Sequence, residues 1–166
     1  MCAHSGRELT LTTVQQSFEK LISLAIQREE EAYEFYTKAA NNAELPSSAK
    51  LLKELARQEV GHKEKLEEAL GGGVCETFTC TTIDEFDRYD LSKYLLDIPL
   101  EPSSTSQDIL IVAIKREENA RDFYKALSKL TEDASNRTVF ETLAKEEQIH
   151  KERLESIYDQ HIQPWM

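Results

Sequence analysis

Leu55-Ala56-Arg57-Gln58-Glu59-Val60-Gly61-His62-Lys63-Glu64-Lys65-Leu66 returns 88 residues later as Leu143-Ala144-Lys145-Glu146-Glu147-Gln148-Ile149-His150-Lys151-Glu152-Arg153-Leu154, with seven of twelve positions identical. The same shift, without a gap, lays Ala25-Ile26-Gln27-Arg28-Glu29-Glu30-Glu31-Ala32-Tyr33-Glu34-Phe35-Tyr36 on Ala113-Ile114-Lys115-Arg116-Glu117-Glu118-Asn119-Ala120-Arg121-Asp122-Phe123-Tyr124, with eight of twelve identical. Each copy thus holds two matched segments. The repeating unit is a pair of helices, not a single helix.

Spacings of three and four trace one apolar stripe along each segment. The first runs Val14, Phe18, Leu21, Ala25, Glu29, Ala32, Tyr36, Ala39, and the second Leu52, Leu55, Glu59, His62, Leu66, Ala69. The third runs Leu110, Ala113, Glu117, Ala120, Tyr124, Leu127, and the fourth Phe140, Leu143, Glu147, His150, Leu154, Ile157. Charged or polar residues interrupt every stripe near its middle. With hairpin turns near Glu44 and Glu132, each of Glu29, Glu59, Glu117 and Glu147 lies 15 residues from its turn. Equal distances from the turn give equal heights in an antiparallel pair, so all four carboxylates meet at mid-bundle.

Such a layer needs compensation, because burying even one unpaired charge costs several kcal/mol. Either the groups take up protons or they bind cations. Two divalent ions carry +4 against −4 from four carboxylates, and His62 and His150 add neutral ligands. The alternative is a hydrogen-bonded polar layer without metal.

The rest of the chain agrees with an all-α, four-helix bundle in one domain over residues 1–166. Gly and Pro number 5 and 4 in 166 residues, which favours long helices. A first helix capped at Thr12 or Thr13 should end near Asn42. A second should begin at Pro46, a residue tolerated in a first helical turn, and end at Gly71-Gly72-Gly73. A third should run from about Ser106 to Leu130, and a fourth from about Asp133 to Gln160. The hairpins occupy about 13–70 and 106–160, and a crossover over 71–105 joins them, with a short helical piece expected between Asp84 and Leu96. Thirty-five residues suffice to travel the length of the bundle, about 45 Å for a 30-residue helix.

The formal net charge of −11 sets nucleic acid and anionic membranes aside as partners. Met1 to Glu8 contains no apolar core of signal-peptide type, and no stretch approaches 18 apolar residues. Cys2, Cys75 and Cys80 are too few and odd in number for a disulfide scaffold, so a reducing cytoplasm is expected.

Together these motifs resemble the ferritin-like di-iron carboxylate family, and within it the rubrerythrins. A Glu from two helices and Glu-x-x-His from the other two is the known ligand set of such proteins. The resemblance covers both hairpins. It implies two iron ions, with manganese or zinc as possible substitutes. Glu59 and Glu147 would bridge them, Glu29 and His62 would complete one site, and Glu117 and His150 the other. The activity implied is oxidation–reduction with peroxide, O₂ or ferrous iron. The alternative is a non-catalytic protein that binds or buffers iron, and a third reading is an interaction module stabilised by metal. Two departures stand out. Rubrerythrins commonly carry an extra Glu one turn after the third-helix ligand, where this chain has Ala120. They also commonly carry a rubredoxin-like domain with two Cys-x-x-Cys pairs, whereas the only close pair here is Cys75-Glu-Thr-Phe-Thr-Cys80. Electrons would then come from a separate donor protein. Related proteins often pair, so a homodimer is expected.

Tyr36 and Tyr124 are the candidate catalytic side chains. In the family such tyrosines hydrogen-bond to ligand carboxylates, and the alternative is an ordinary core aromatic. Glu30 and Glu118 point about 100° from the ligands beside them and belong to the surface. Gly61 sits in a helix interior, where close helix contact is one reading, although Ile149 takes the equivalent place in the repeat. His161 is expected at the bundle end. Cys75 and Cys80 are read as bystanders in the crossover.

Overall fold

The computed structural model describes residues 5–43, 46–71, 91–95, 105–131 and 133–161. Four helices dominate: α1 (Ser5–Asn41), α2 (Pro46–Gly71), α3 (Ser106–Lys129) and α4 (Ala134–His161). A short 3₁₀ turn, Leu91–Leu95, lies between α2 and α3. The chief packing partners are α1 with α2 and α3 with α4, so the repeat unit is a helical hairpin. α2 also touches α4, and the 3₁₀ turn packs on α3 and α1. No helix among the described residues is long and apolar enough to cross a membrane.

Local chemistry sets the helix ends. At the start of α3, Thr105 Oγ1 accepts from the Asp108 amide at 3.2 Å, and Asp108 Oδ2 accepts from the Thr105 amide at 2.8 Å. This reciprocal box satisfies two donors that the helix leaves unpaired. At the start of α4, Asp133 Oδ2 accepts from the Asn136 amide at 2.9 Å. Pro46 is the first residue of α2. One boundary differs from expectation. The backbone of α1 is already helical at Ser5, so Thr12 and Thr13 lie within the helix and do not cap it. A Thr and a Gln three residues on are compatible with a helix interior as well as with its start, which is why that signal misled.

The stripes face inward as their spacing requires. Leu55, Leu66, Ala113, Leu127, Phe140, Leu143 and Leu154 are fully buried. Side chains of Val14 and Phe18 lie outside the described residues, as do Cys2, Cys75, Cys80, the turn residues Glu44 and Glu132, and positions 84–90 of the expected crossover helix. The core falls into two apolar clusters. One contains Leu21, Leu66, Leu127 and Phe140, and the other Tyr36, Leu52, Leu110 and Leu154. The late part of α2 belongs to the first and the early part of α3 to the second. The chain therefore leaves α2 at one end of the bundle and enters α3 at the other, the geometry that demands a long crossover. The 3₁₀ turn is part of that connection. Its Leu91 is buried in the first cluster.

Gly61 does not serve close helix contact. A Cβ built there meets nothing within 4 Å. Gly in a helix interior costs about 1 kcal/mol relative to Ala, so Gly61→Ala should raise the stability of the metal-free protein by about that amount. Urea unfolding would show it as a higher midpoint at unchanged slope, and an unchanged or lower midpoint would contradict it.

Candidate metal centre

The polar interruptions of the four stripes converge between the two apolar clusters. Glu29, Glu59, His62, Glu117, Glu147 and His150 are all buried, none more than 6 % exposed. They form two overlapping groups, Glu29–Glu59–His62–Glu147 and Glu59–Glu117–Glu147–His150, each with one donor atom per residue within 4.8 Å of the others. Glu59 and Glu147 belong to both. His62 turns Nδ1 to the first group, 2.9 Å from Glu147 Oε1, 3.3 Å from Glu59 Oε2 and 3.7 Å from Glu29 Oε2. His150 turns Nδ1 to the second, 3.1 Å from Glu147 Oε2, 3.3 Å from Glu117 Oε2 and 3.6 Å from Glu59 Oε1. The two rings stack at 5.6 Å between centroids, 12° from parallel.

The cluster does not satisfy itself. Glu59 Oε1, His62 Nδ1, Glu117 Oε2 and Glu147 Oε1 are buried without an aligned hydrogen-bond partner among the described residues. Buried polar atoms are normally paired. These four atoms all belong to the two groups. Carboxylate oxygen with imidazole nitrogen is a donor set suited to iron or manganese, so these six side chains fit a pair of divalent ions.

Tyr36 and Tyr124 are buried and meet ligand-type carboxylates, but on the other hairpin. Tyr36 Oη donates to Glu117, and Tyr124 Oη donates to Glu29. Helix geometry explains the exchange. Side chains lean toward their own N-terminus, and α1 and α3 run in opposite directions. Tyr36 therefore leans toward mid-bundle, and Glu117 leans up to meet it, whereas Glu29 leans away. Glu30 and Glu118 sit outside the cluster, paired with Lys63 at 2.6 Å and Lys115 at 2.7 Å.

Sequence reasoning missed the residues behind the histidines. His62 Nε2 lies 2.8 Å from Glu146 Oε2, and His150 Nε2 is hydrogen-bonded to Gln58 Oε1. Gln58 and Glu146 are the same position of the repeat, one residue before each shared Glu. The 88-residue alignment already showed a polar residue there in both copies. What it lacked was the contact between α2 and α4 that carries each residue to the opposite hairpin's histidine. Also unforeseen is a cavity of ≈ 60 Å³ beside the cluster. Its walls include Glu29, Glu117, Ala32, Ala120 and Tyr94, the last from the 3₁₀ turn.

Comparison with known proteins fits this geometry. The family model for rubrerythrin matches residues 7–73 and 108–163. The chain belongs to the rubrerythrin family. A crystal structure of a Thermotoga maritima protein assigned to the ferritin-like diiron-carboxylate proteins shares its fold with TM-score 0.60 at 22 % identity, over 82 % of this chain and 91 % of that one. No curated protein matches the chain. Within the rubrerythrin frame, Ala120 is half-buried on the cavity wall, where family members commonly place a carboxylate.

Without metal, protons offset the crowding of carboxylates in this rubrerythrin centre. Burial pushes the Glu29 carboxyl well up, helped by the charge of Glu59, and burial does the same to Glu117, helped by Glu147. Burial also opposes ionisation of Glu59 and Glu147. It is outweighed at Glu59 by contacts with Glu29, His150 and His62, and at Glu147 by the charge of His62 and contacts with Glu117 and His150, so both carboxyls are held low. Burial works against charge on the histidines. The charge of Glu147 and contacts with Glu146 and Glu29 still raise His62, and contacts with Glu117, Glu147 and Glu59 raise His150 to about 12. These shifts place protons preferentially on Glu29, Glu117, His62 and His150 and leave Glu59 and Glu147 as the carboxylates. Tyr36 and Tyr124 are also pushed up, by burial first and then by the neighbouring carboxylates, so both stay protonated and act as donors.

Metal held by these six side chains would displace the protons they carry. Loading should release protons, and apparent affinity should rise with pH. Calorimetry in buffers of different ionisation enthalpy counts the protons. Loading without proton release would contradict this charge state.

Proposed function

We propose that the protein is a di-iron oxidoreductase that acts on peroxide, O₂ or ferrous iron, with Glu29, Glu59, His62, Glu117, Glu147 and His150 as metal ligands. The observation that carries this reading is the pair of buried four-residue groups sharing Glu59 and Glu147. Two ferrous ions held there would deliver two electrons together to one oxidant, which avoids one-electron radical release.

The chain's own residues supply the remaining requirements. The cavity beside the cluster limits what can react. A water molecule needs roughly 10–15 Å³ of such space, so ≈ 60 Å³ admits a few water-sized molecules and fits peroxide or O₂ better than an organic substrate. Ala32 and Ala120 keep that space open because each contributes only a methyl group. Tyr36 and Tyr124 hold their protons at Oη and fix the orientation of Glu117 and Glu29. They are positioning residues by this geometry. Reduction of one peroxide to two waters takes up two electrons and two protons, and the electrons would be restored by a donor protein. The reading includes a cytoplasmic location, suggested by the cysteine content of the sequence, and a homodimer, suggested by the family resemblance.

The test is anaerobic purification, metal analysis, and addition of peroxide to the iron-loaded protein with a reductant present. About two irons per chain with repeated turnover are expected. Glu59→Gln or Glu147→Gln should leave fewer than two metals bound and abolish turnover. Stoichiometric oxidation followed by no further reaction would assign the protein to iron binding or buffering instead. A folded protein that takes up no metal would refute the centre.

Tyr36→Phe and Tyr124→Phe should retain metal but lower turnover roughly 10–100-fold, the range for loss of an outer partner of a ligand. Redox behaviour unchanged in both variants would reduce these tyrosines to core packing.

A further inference from the structure

The repeat that builds the centre is imperfect where it supports the histidines. Both rings point Nδ1 inward and Nε2 away from the cluster. Behind His62 stands a carboxylate, with Glu146 Oε2 at 2.8 Å. Behind His150 stands a neutral amide, with Gln58 Oε1 as acceptor. The surroundings diverge in step. Lys65 Nζ lies 3.5 Å from Glu146 Oε1. Its counterpart in the repeat, Arg153, instead grips Glu54 at 2.9 and 3.2 Å. The tyrosine contacts, by contrast, are matched in the two halves. The residue behind each histidine, at positions 58 and 146, thus differs between the two groups.

A ring that gives Nδ1 to a metal must carry its proton on Nε2 and donate it outward. A charge-assisted hydrogen bond is roughly twice as strong as a neutral one. A carboxylate acceptor also raises the basicity of the ligating nitrogen more than an amide carbonyl does. Lys65 does not cancel this, since Lys65 and Glu146 are each well exposed to water and such ion pairs are weak.

We infer that the two metal positions are inequivalent, and that Glu146 makes the position of Glu29 and His62 the tighter one and the first to fill. Glu146 acts through His62 as a positioning residue, and Gln58 is its weaker counterpart. The inference rests on the reading of the six side chains as metal ligands and is independent of any turnover.

The probe is Co(II), titrated into the metal-free full-length protein under anaerobic conditions and followed by visible absorption and calorimetry. Two steps at least about tenfold apart are expected. Glu146→Gln should weaken the first step about 10–100-fold and merge it with the second. Gln58→Glu should tighten the second step. In the protein carrying one Co(II), the paramagnetically shifted ring N–H should be that of His62, identified by its absence in His62→Gln. In the double variant Gln58→Glu with Glu146→Gln, it should be that of His150. If Glu146→Gln does not fold, as judged by circular dichroism, Gln58→Glu carries the test alone. Two equal steps in the natural protein, or steps that neither variant moves, would overturn the asymmetry and leave the centre standing. No Co(II) binding at all would overturn the ligand reading, and the asymmetry with it.

Discussion

Four carboxylates buried at one level of a helix bundle are the constraint on which this molecule depends. Mutual repulsion and lost hydration oppose placing them there. They are tolerated because the two apolar clusters on either side do the work of folding, and because each carboxylate has a compensating neighbour. The polar layer divides the core in two and so concentrates the chemistry in a thin slab. Everything that shapes the site comes from where each helix crosses that slab.

Crossed interactions hold the slab together. Each histidine belongs to one hairpin and leans on a residue of the other. Each tyrosine hydrogen-bonds to a glutamate of the opposite hairpin. Neither hairpin holds a complete group, because Glu59 and Glu147 are needed in both. The site therefore exists only when the hairpins are docked, and its geometry is a property of their interface.

Much of this was legible in the sequence. The 88-residue shift revealed the hairpins, the stripes revealed the core, and the equal spacing of Glu29, Glu59, Glu117 and Glu147 from their turns placed them at one height. These features survive because they depend on helical period and chain length alone. The start of α1 was not legible, since Thr12 and Thr13 carry a cap signal that a continuing helix simply overrides. The roles of Glu146 and Gln58 were not legible either. Their periodicity places them beside the stripe, and only the approach of α2 to α4 decides what they touch. The tyrosines and their bonding to ligand carboxylates were foreseen through the family resemblance, but which carboxylate each one meets was not, because the lean of side chains in antiparallel helices appears only when direction is considered along with spacing. Ala120 was visible as a departure from the family pattern, yet the cavity it borders needed the third dimension.

The exchange of partners between two similar halves has a consequence for coding. One hairpin of this kind carries one Glu, one Glu-x-x-His and one tyrosine. Two copies related by a twofold axis would assemble the same cluster, but in such an assembly positions 58 and 146 would be encoded by a single codon and could never differ. Joining the copies in one polypeptide removes that identity. The crossover is in this sense a licence for difference: it lets two equivalent positions hold a Gln and a Glu within one molecule, a distinction that no symmetric pair of identical chains could have.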